Sequence, residues 1–214
     1  MTTTSVFDDS LKEFRRSVEI TRDVRFQANL RLMKRQRWSS YMISILSLYV
    51  IFLSLLPNIF SLNEKDSQIL LSCSVILSVF VIFTSIIDGS QNFYHQGELL
   101  HRCARKIATV YHKLKNIDPS DVSSHSDLEK LQEEYREILD DCPINHDNMD
   151  YTLIKSTKPH LFPRDYEKVW VGWKSFYLRV VYLMLSSSWM VLHVAALIAV
   201  SVVVYGVVTA PSGK

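Results

Sequence analysis

Residues 41–87 read YMISILSLYVIFLSLLPNIFSLNEKDSQILLSCSVILSVFVIFTSII. Every Asp, Glu, Lys and Arg of this stretch falls in the triplet Glu64, Lys65 and Asp66, so two uncharged runs flank one polar break. The runs extend over residues 38–63 (26 residues) and 67–87 (21 residues). At about 1.5 Å per helical residue the shorter reaches roughly 32 Å, enough to cross a hydrocarbon core of about 30 Å. Both are read as transmembrane helices, residues 41–60 and 67–87, with Pro57 and Asn58 placed where the first helix loosens. The connection, residues 61–66, is too short for anything but an antiparallel hairpin.

A third uncharged run covers residues 180–213 (34 residues), of which 180–208 is dominated by apolar side chains. It is too long for one upright span and too short for two. A single tilted helix is the preferred reading; the alternative is an interfacial turn around Ser186, Ser187 and Ser188 followed by a shorter span.

The whole-chain averages conceal this. The 214 residues are 48% hydrophobic and 21% charged with net charge +2, and the mean hydropathy is +0.06. These are values of an ordinary soluble domain, yet 81 residues lie in the three uncharged runs and all 46 formal charges in the other 133. A soluble enzyme is excluded as the leading reading. The expected fold is an all-α membrane protein: an antiparallel transmembrane hairpin, a third C-terminal transmembrane helix and a cytoplasmic helical bundle. Its parts are a cytoplasmic amphipathic helix (1–40), the hairpin (41–87), a cytoplasmic helical region and connector (88–179) and the third span (180–210).

Orientation follows from the basic residues. Nine Lys or Arg precede the first span and thirteen lie in residues 88–179, against Lys65 alone in the hairpin loop and Lys214 in the tail. The positive-inside rule puts the N-terminus and the long middle segment in the cytoplasm and the C-terminus outside, in a multi-pass inner (cell) membrane protein that meets lipid directly. Trp170, Trp173, Phe176 and Tyr177 read as an interfacial aromatic anchor. No cleavable signal peptide is visible, since the first apolar run begins behind a long charged segment. Cys73 lies in a span, while Cys103 and Cys142 lie in the cytoplasmic region without metal-binding spacing; all three are expected as reduced thiols.

Outside the spans, apolar residues recur at helical spacing. Phe7, Leu11, Phe14 and Val18 start a long amphipathic helix that leads into the first span. Leu99, Leu100, Cys103, Ile107, Val110, Tyr111 and Leu114 continue the second transmembrane helix into the cytoplasm, with a break or bend near Gly89 or Gly97. Asp118, Pro119, Ser120 and Asp121 form a turn. Ser126 with Glu129 has the spacing of a capping box ahead of a helix carrying Leu128, Leu131, Tyr135, Ile138 and Leu139, stopped by Pro143. Packing into a small bundle is the ordinary fate of such stripes. Residues 144–164 read as a mainly irregular connector.

Small residues mark one face of each span. Ser40, Ser44, Ser47 and Ser54 form one stripe, Ser67, Ser74, Ser78 and Ser85 a second, and Ser188, Ala195, Ala199 and Gly206 repeat the offsets of the second. Either an oligomer turns these stripes towards a water-filled path, or small residues permit close helix contact and hydroxyls bond carbonyls across helices. The second is the commoner case for any one stripe. His193, near the middle of the third span, is an ionisable group at membrane depth and so a candidate gate or subunit contact. Asn145, His146, Asp147 and Asp150 could hold a nucleotide or metal, and Glu98 with His101 could share a helix face. Neither set has ligand geometry, and turns and caps are their usual role. No metal and no cofactor is therefore expected.

No phosphate loop, nucleophile elbow, Cys-x-x-Cys pair or His-Glu-x-x-His helix is present, which argues against an enzyme. Arg15, Arg16, Arg22, Arg25 and Arg31 are basic enough to touch a polyanion, but residues beside a span usually serve topology and anionic lipid, so direct nucleic-acid binding is not expected.

Three blocks carry a family resemblance: residues 25–32 (RFQANLRL) running into Trp38-Ser39 and residues 46–49 (LSLY); residues 97–104 (GELLHRCA) with Ile107 and Tyr111; and residues 143–151 (PINHDNMDY). In this order around a hairpin the chain resembles the SLATT domain, the SMODS and SLOG-associating two-transmembrane effectors, and within it the SLATT_5 branch. Arg25, Asn29, Glu98, His101, Asn145, His146, Asp150 and Tyr151 stand at the motif positions. The resemblance implies a membrane effector of bacterial anti-phage defence, silent until an operon-encoded sensor fires it. That sensor is typically a reverse transcriptase or a nucleotidyltransferase that makes a second messenger. Firing would assemble a homo-oligomer that perforates or depolarises the membrane and aborts infection. The reading from a different class is a non-permeating scaffold that recruits the sensor, with Glu129, Glu133, Glu134, Glu137, Asp140 and Asp141 as a docking face.

Overall fold

The computed structural model describes residues 3–60, 62–119, 123–163 and 171–209. The described chain is helical: α1 (Thr3–Phe60), α2 (Glu64–Gln91), α3 (Phe93–Lys115), α4 (Ser124–Asp140), α5 (Asn148–Thr157), a single 3-10 turn (Pro159–Leu161) and α6 (Val171–Thr209). Among the described residues there is no strand. Three helices, in α1, in α2 with α3, and in α6, are long and apolar enough to cross a membrane. Trp170, Ser61, the Ser120 and Asp121 part of the expected turn, and the tail with Lys214 lie outside the described residues.

The chain divides into two compact units. The bundle unit comprises Met1–Met33 and Tyr94–Ser186, and the apolar unit Lys34–Phe93 and Ser187–Lys214. In the bundle unit the three predicted stripes meet in one core of Phe7, Leu11 and Val18 from α1, Ile107, Val110 and Leu114 from α3, and Leu128, Leu131 and Ile138 from α4. A second cluster joins Val24 of α1 to Ile154, Leu161 and Phe162.

The apolar unit is built the other way round. Its interior is a leucine seam, Leu46, Leu53 and Leu56 against Leu70 and Leu77, joined by Leu197, Val200 and Val204 of α6. Its outside is just as apolar: Leu48, Ile76, Phe83, Val191 and Val202 are each more than half exposed. An exposed surface of this kind belongs in hydrocarbon.

Several local expectations are corrected. The helix of the second span starts at Glu64, three residues early, because the Asn63 side chain accepts from the Asp66 N–H at 2.8 Å and the acidic residues Glu64 and Asp66 sit at the positive end of the helix. The break after it falls close to Gly89, as expected, but its left-handed residue is Asn92, the one described non-glycine residue with positive φ (49°). Gly97 lies inside α3, where it serves close approach: a Cβ there would stand 3.3 Å from Asn29 Oδ1. Ser126 and Glu129 are inside α4, whose cap position is Ser123, and no side-chain capping bond forms there. The capping box occurs instead at Asp147 and Asp150, and it nucleates a helix, α5, where an irregular connector was expected.

The long third run is one unbroken helix, so the interfacial turn at Ser186–Ser188 is overturned. Its excess length has a simple origin. The stretch up to Ser186 belongs to the bundle unit, where Gln27 Nε2 donates to Tyr182 Oη at 2.8 Å.

Candidate functional site: a buried polar nexus and a membrane histidine

In the bundle unit most of the motif residues converge around the second quarter of α1. Arg31 donates from Nε and Nη2 to the two oxygens of Asp150, both at 2.9 Å, and Asp150 is wholly inaccessible to solvent. Such a two-pronged pair fixes the register of α5 on α1. Burial disfavours the Arg31 charge, but the hydrogen bonds and charge of Asp150, with Asp147 behind it, outweigh this and hold the guanidinium above its ordinary value. Asp150 also accepts from the Asp147 N–H at 3.3 Å, so one carboxylate closes both the cap and the ion pair.

Three motif side chains bury a polar atom without a hydrogen-bond partner: Asn29 Oδ1, His101 Nδ1 and His146 Nδ1; Arg25 Nε is a fourth. Glu98 and His101 lie three residues apart in α3; His101 packs edge-on to Phe26 at 5.6 Å, while Glu98 accepts from Arg102 at 3.0 Å. Asn145 is exposed and accepts from the His146 N–H. Tyr151 stands edge-on to Phe162 at 5.4 Å. No group of three potential metal ligands occurs among the described residues.

Burial pushes the His146 imidazole below the ordinary 6.5, and Arg25 adds to this against Asp150 and Asp147. The native ring thus holds fewer protons than the unfolded one. Stability is full above the unfolded value, falls as pH drops through about 6.5, and levels off below the native value. Thermal melts from pH 7.5 to 5.5 are expected to show this decline, and His146→Gln to flatten part of it; parallel profiles for both proteins would remove His146 as the cause.

The remaining arginines of α1 serve the fold. Arg15 donates to the Leu114 and Ile117 carbonyls at 2.9 and 3.0 Å, closing the C-terminal end of α3. Arg22 stacks over the Tyr111 ring at 4.3 Å, and Arg16 lies 3.6 Å from Glu13. On α4, Glu134 pairs with Lys113 and Glu133 with Arg136, and Asp141 just beyond pairs with Lys106. Glu129, Glu137 and Asp140 are exposed.

One expectation about thiols is corrected. Cys103 of α3 and Cys142, two residues past α4, form a disulfide, because the helices bring positions 39 residues apart to a Cα separation of 6.2 Å. Cys73 is free.

In the apolar unit, most hydroxyls of the two hairpin stripes turn back onto carbonyls of their own helices. Ser44, Ser47, Ser54, Ser74 and Ser78 donate to carbonyls three or four residues earlier. Ser74 is buried, but Ser85 is exposed while its neighbour Thr84 takes the buried position. Ser188, Ala195, Ala199 and Gly206 all face outward, and α6 packs through Ala196, Leu197, Val200 and Val204. An interhelical hydroxyl contact joins Tyr49 to Ser201 at 3.1 Å.

His193 is 5% exposed, with Nδ1 3.3 Å from the Trp189 carbonyl, Phe80 and Trp189 edge-on, and Nε2 unpartnered. It is not isolated among apolar groups, because Asp88 lies within its electrostatic reach and that of Arg35. Asp88 stands just past the expected span, so His193 sits towards that end of the apolar unit.

Arg31 with Asp150, and Cys103 with Cys142, left no mark in local spacing, because their members are 119 and 39 residues apart. Two charged residues in otherwise ordinary motif positions were the one available signal. The model of the family described as SMODS and SLOG-associating 2TM effector domain family 5, SLATT_5, matches residues 7–207. Neither a curated protein nor a solved structure matches the chain.

Proposed function

The chain belongs to the SLATT_5 family of membrane effectors, and from that premise we propose that it is the membrane-disrupting arm of a bacterial anti-phage system. A cytoplasmic sensor, a reverse transcriptase or a nucleotidyltransferase encoded beside it, triggers assembly of a homo-oligomer whose spans open a path for ions. Membership supports the general defence role without catalysis; the mechanism is the proposal. The observation that carries it is the outward face of α6, where Ala195, Ala199 and Gly206 lie exposed, outside the set through which α6 packs on the hairpin. Small residues are what close helix contact between copies requires.

The bundle unit is read as cytoplasmic from the positive-inside bias. A signal acting there must bind the open and closed states differently. Helix α1 supplies residues to both units without interruption over 58 residues, which provides a stiff route for it.

The test is a recording of membrane potential in cells that express the chain with and without its sensor. Depolarisation on triggering is expected, and His193→Ala is expected to change the ion flux. No depolarisation under any triggering condition counts decisively against a pore. If the sensor still co-purifies in that case, the scaffold reading replaces it.

A further inference from the structure

Arg25 is a buried charge without an anion. It is 6% exposed, its Nε has no hydrogen-bond partner, and among the described residues no carboxylate pairs with it. Its Nη1 instead faces two sulfurs, that of Cys103 and, at 2.8 Å, that of Cys142. Tyr135 from α4 and His146 from the segment before α5 also act on it electrostatically, and neither is a carboxylate. A guanidinium taken out of water needs a negative partner, and a neutral disulfide supplies none. A thiolate does. The site is therefore built for the reduced, singly ionised form of the pair as well as for the bridge.

We propose that Cys103 and Cys142 form a redox-responsive dithiol, with a hydroperoxide as the oxidant and Arg25 as the residue that holds the attacking sulfur as thiolate. Cys142 is the more open of the two and meets the oxidant; Cys103, 4% exposed, resolves. The Cys142 thiolate attacks a peroxide oxygen, the O–O bond breaks, and the departing alkoxide or hydroxide takes a proton, leaving a sulfenic acid. The Cys103 thiol then forms the S–S bond and expels hydroxide, which leaves with the thiol proton as water. Two thiols and one hydroperoxide thus give a disulfide, an alcohol (water, for hydrogen peroxide itself) and water. A cellular dithiol reverses the bridge.

The bridge ties α3 to the start of the segment that carries Asn145, His146 and Asp150, so its redox state decides how firmly that segment is held. The proposal rests on the cytoplasmic placement read above, where a reducing pool makes both states accessible.

The test uses the full-length chain in inverted inner-membrane vesicles, on a Cys73→Ser background. Vesicles are reduced with dithiothreitol, washed, treated with hydrogen peroxide and denatured in a maleimide-coupled polymer that counts thiols. Two adducts before peroxide and none after are expected; Cys142→Ser should keep its one adduct, whereas Cys103→Ser should lose its one adduct until dithiothreitol reduces the trapped sulfenic acid. Native-state alkylation of Cys142 should slow about tenfold in Arg25→Met and recover in Arg25→Lys. Two adducts persisting after peroxide overturn the chemistry, whether or not the Arg25 variants fold. Equal alkylation rates in folded Arg25→Met and the parent overturn the role of Arg25. Labelling of reduced Cys142 by an impermeant maleimide in intact spheroplasts overturns the proposal through its topology instead, because the bridge would then be a permanent one.

Discussion

Asp150→Ala is expected to destabilise the bundle unit by about 3–5 kcal/mol, since it leaves Arg31 buried without its counter-charge. Arg31 is only 14% exposed at its side chain and Asp150 is not exposed at all, so water cannot take over the lost bonds. The same change removes the side chain that accepts from the Asp147 N–H, and α5 loses half of its capping box. The melting temperature in detergent should fall by on the order of ten degrees. Arg31→Met alone should cost a similar amount, whereas Arg31→Met with Asp150→Leu should recover most of it, because no orphan charge remains. Single variants that melt within about a degree of the parent would sink this account of the pair.

The second large effect concerns transmission along α1. Lys34 opens the part of α1 that belongs to the apolar unit, and α1 passes through it unbroken. Lys34→Pro removes a backbone N–H and sets the ring against the Leu30 carbonyl, a local cost of about 3 kcal/mol. The helix is expected to kink while both units, each with its own core, remain folded. Triggered toxicity should then drop at least about tenfold with membrane insertion retained, a magnitude set by about 1.4 kcal/mol or more of lost coupling. Lys34→Ala, which removes the charge but keeps the helix, should stay close to the parent. Full toxicity in Lys34→Pro would mean that α1 is not the route by which the spans are moved.

What was readable in advance depended on range. The stripe Phe7, Leu11 and Val18 and its counterparts on α3 and α4 declared their buried faces, because burial of an amphipathic helix follows a 3.6-residue period. The break between α2 and α3 was expected near Gly89, and only the residue that carries it, Asn92, was not legible, because a glycine is the usual left-handed residue. Helix α5 was missed because its start rests on Asp147 and Asp150, a less familiar capping pair than serine with glutamate. At the candidate site, His146 and Asp150 were named as possible ligand residues, but Arg25 and Arg31 were read only as basic residues beside a span and as parts of the first motif block. Nothing within a few residues of Arg31 reveals that its partner is Asp150.

By itself, the amino-acid sequence determined the all-α class, the three apolar spans, the uneven distribution of basic residues and the family. Each is a sum over residues or a short period, and each is imposed by the solvent that the segment must meet, hydrocarbon or water. Tertiary structure alone decided that Arg31 finds Asp150, that Arg25 faces two sulfurs, that His193 lies near Asp88, and that the first part of α6 belongs to the bundle. These contacts join side chains from separate helices, and their energies depend on distance and burial, quantities that exist only once the helices have packed.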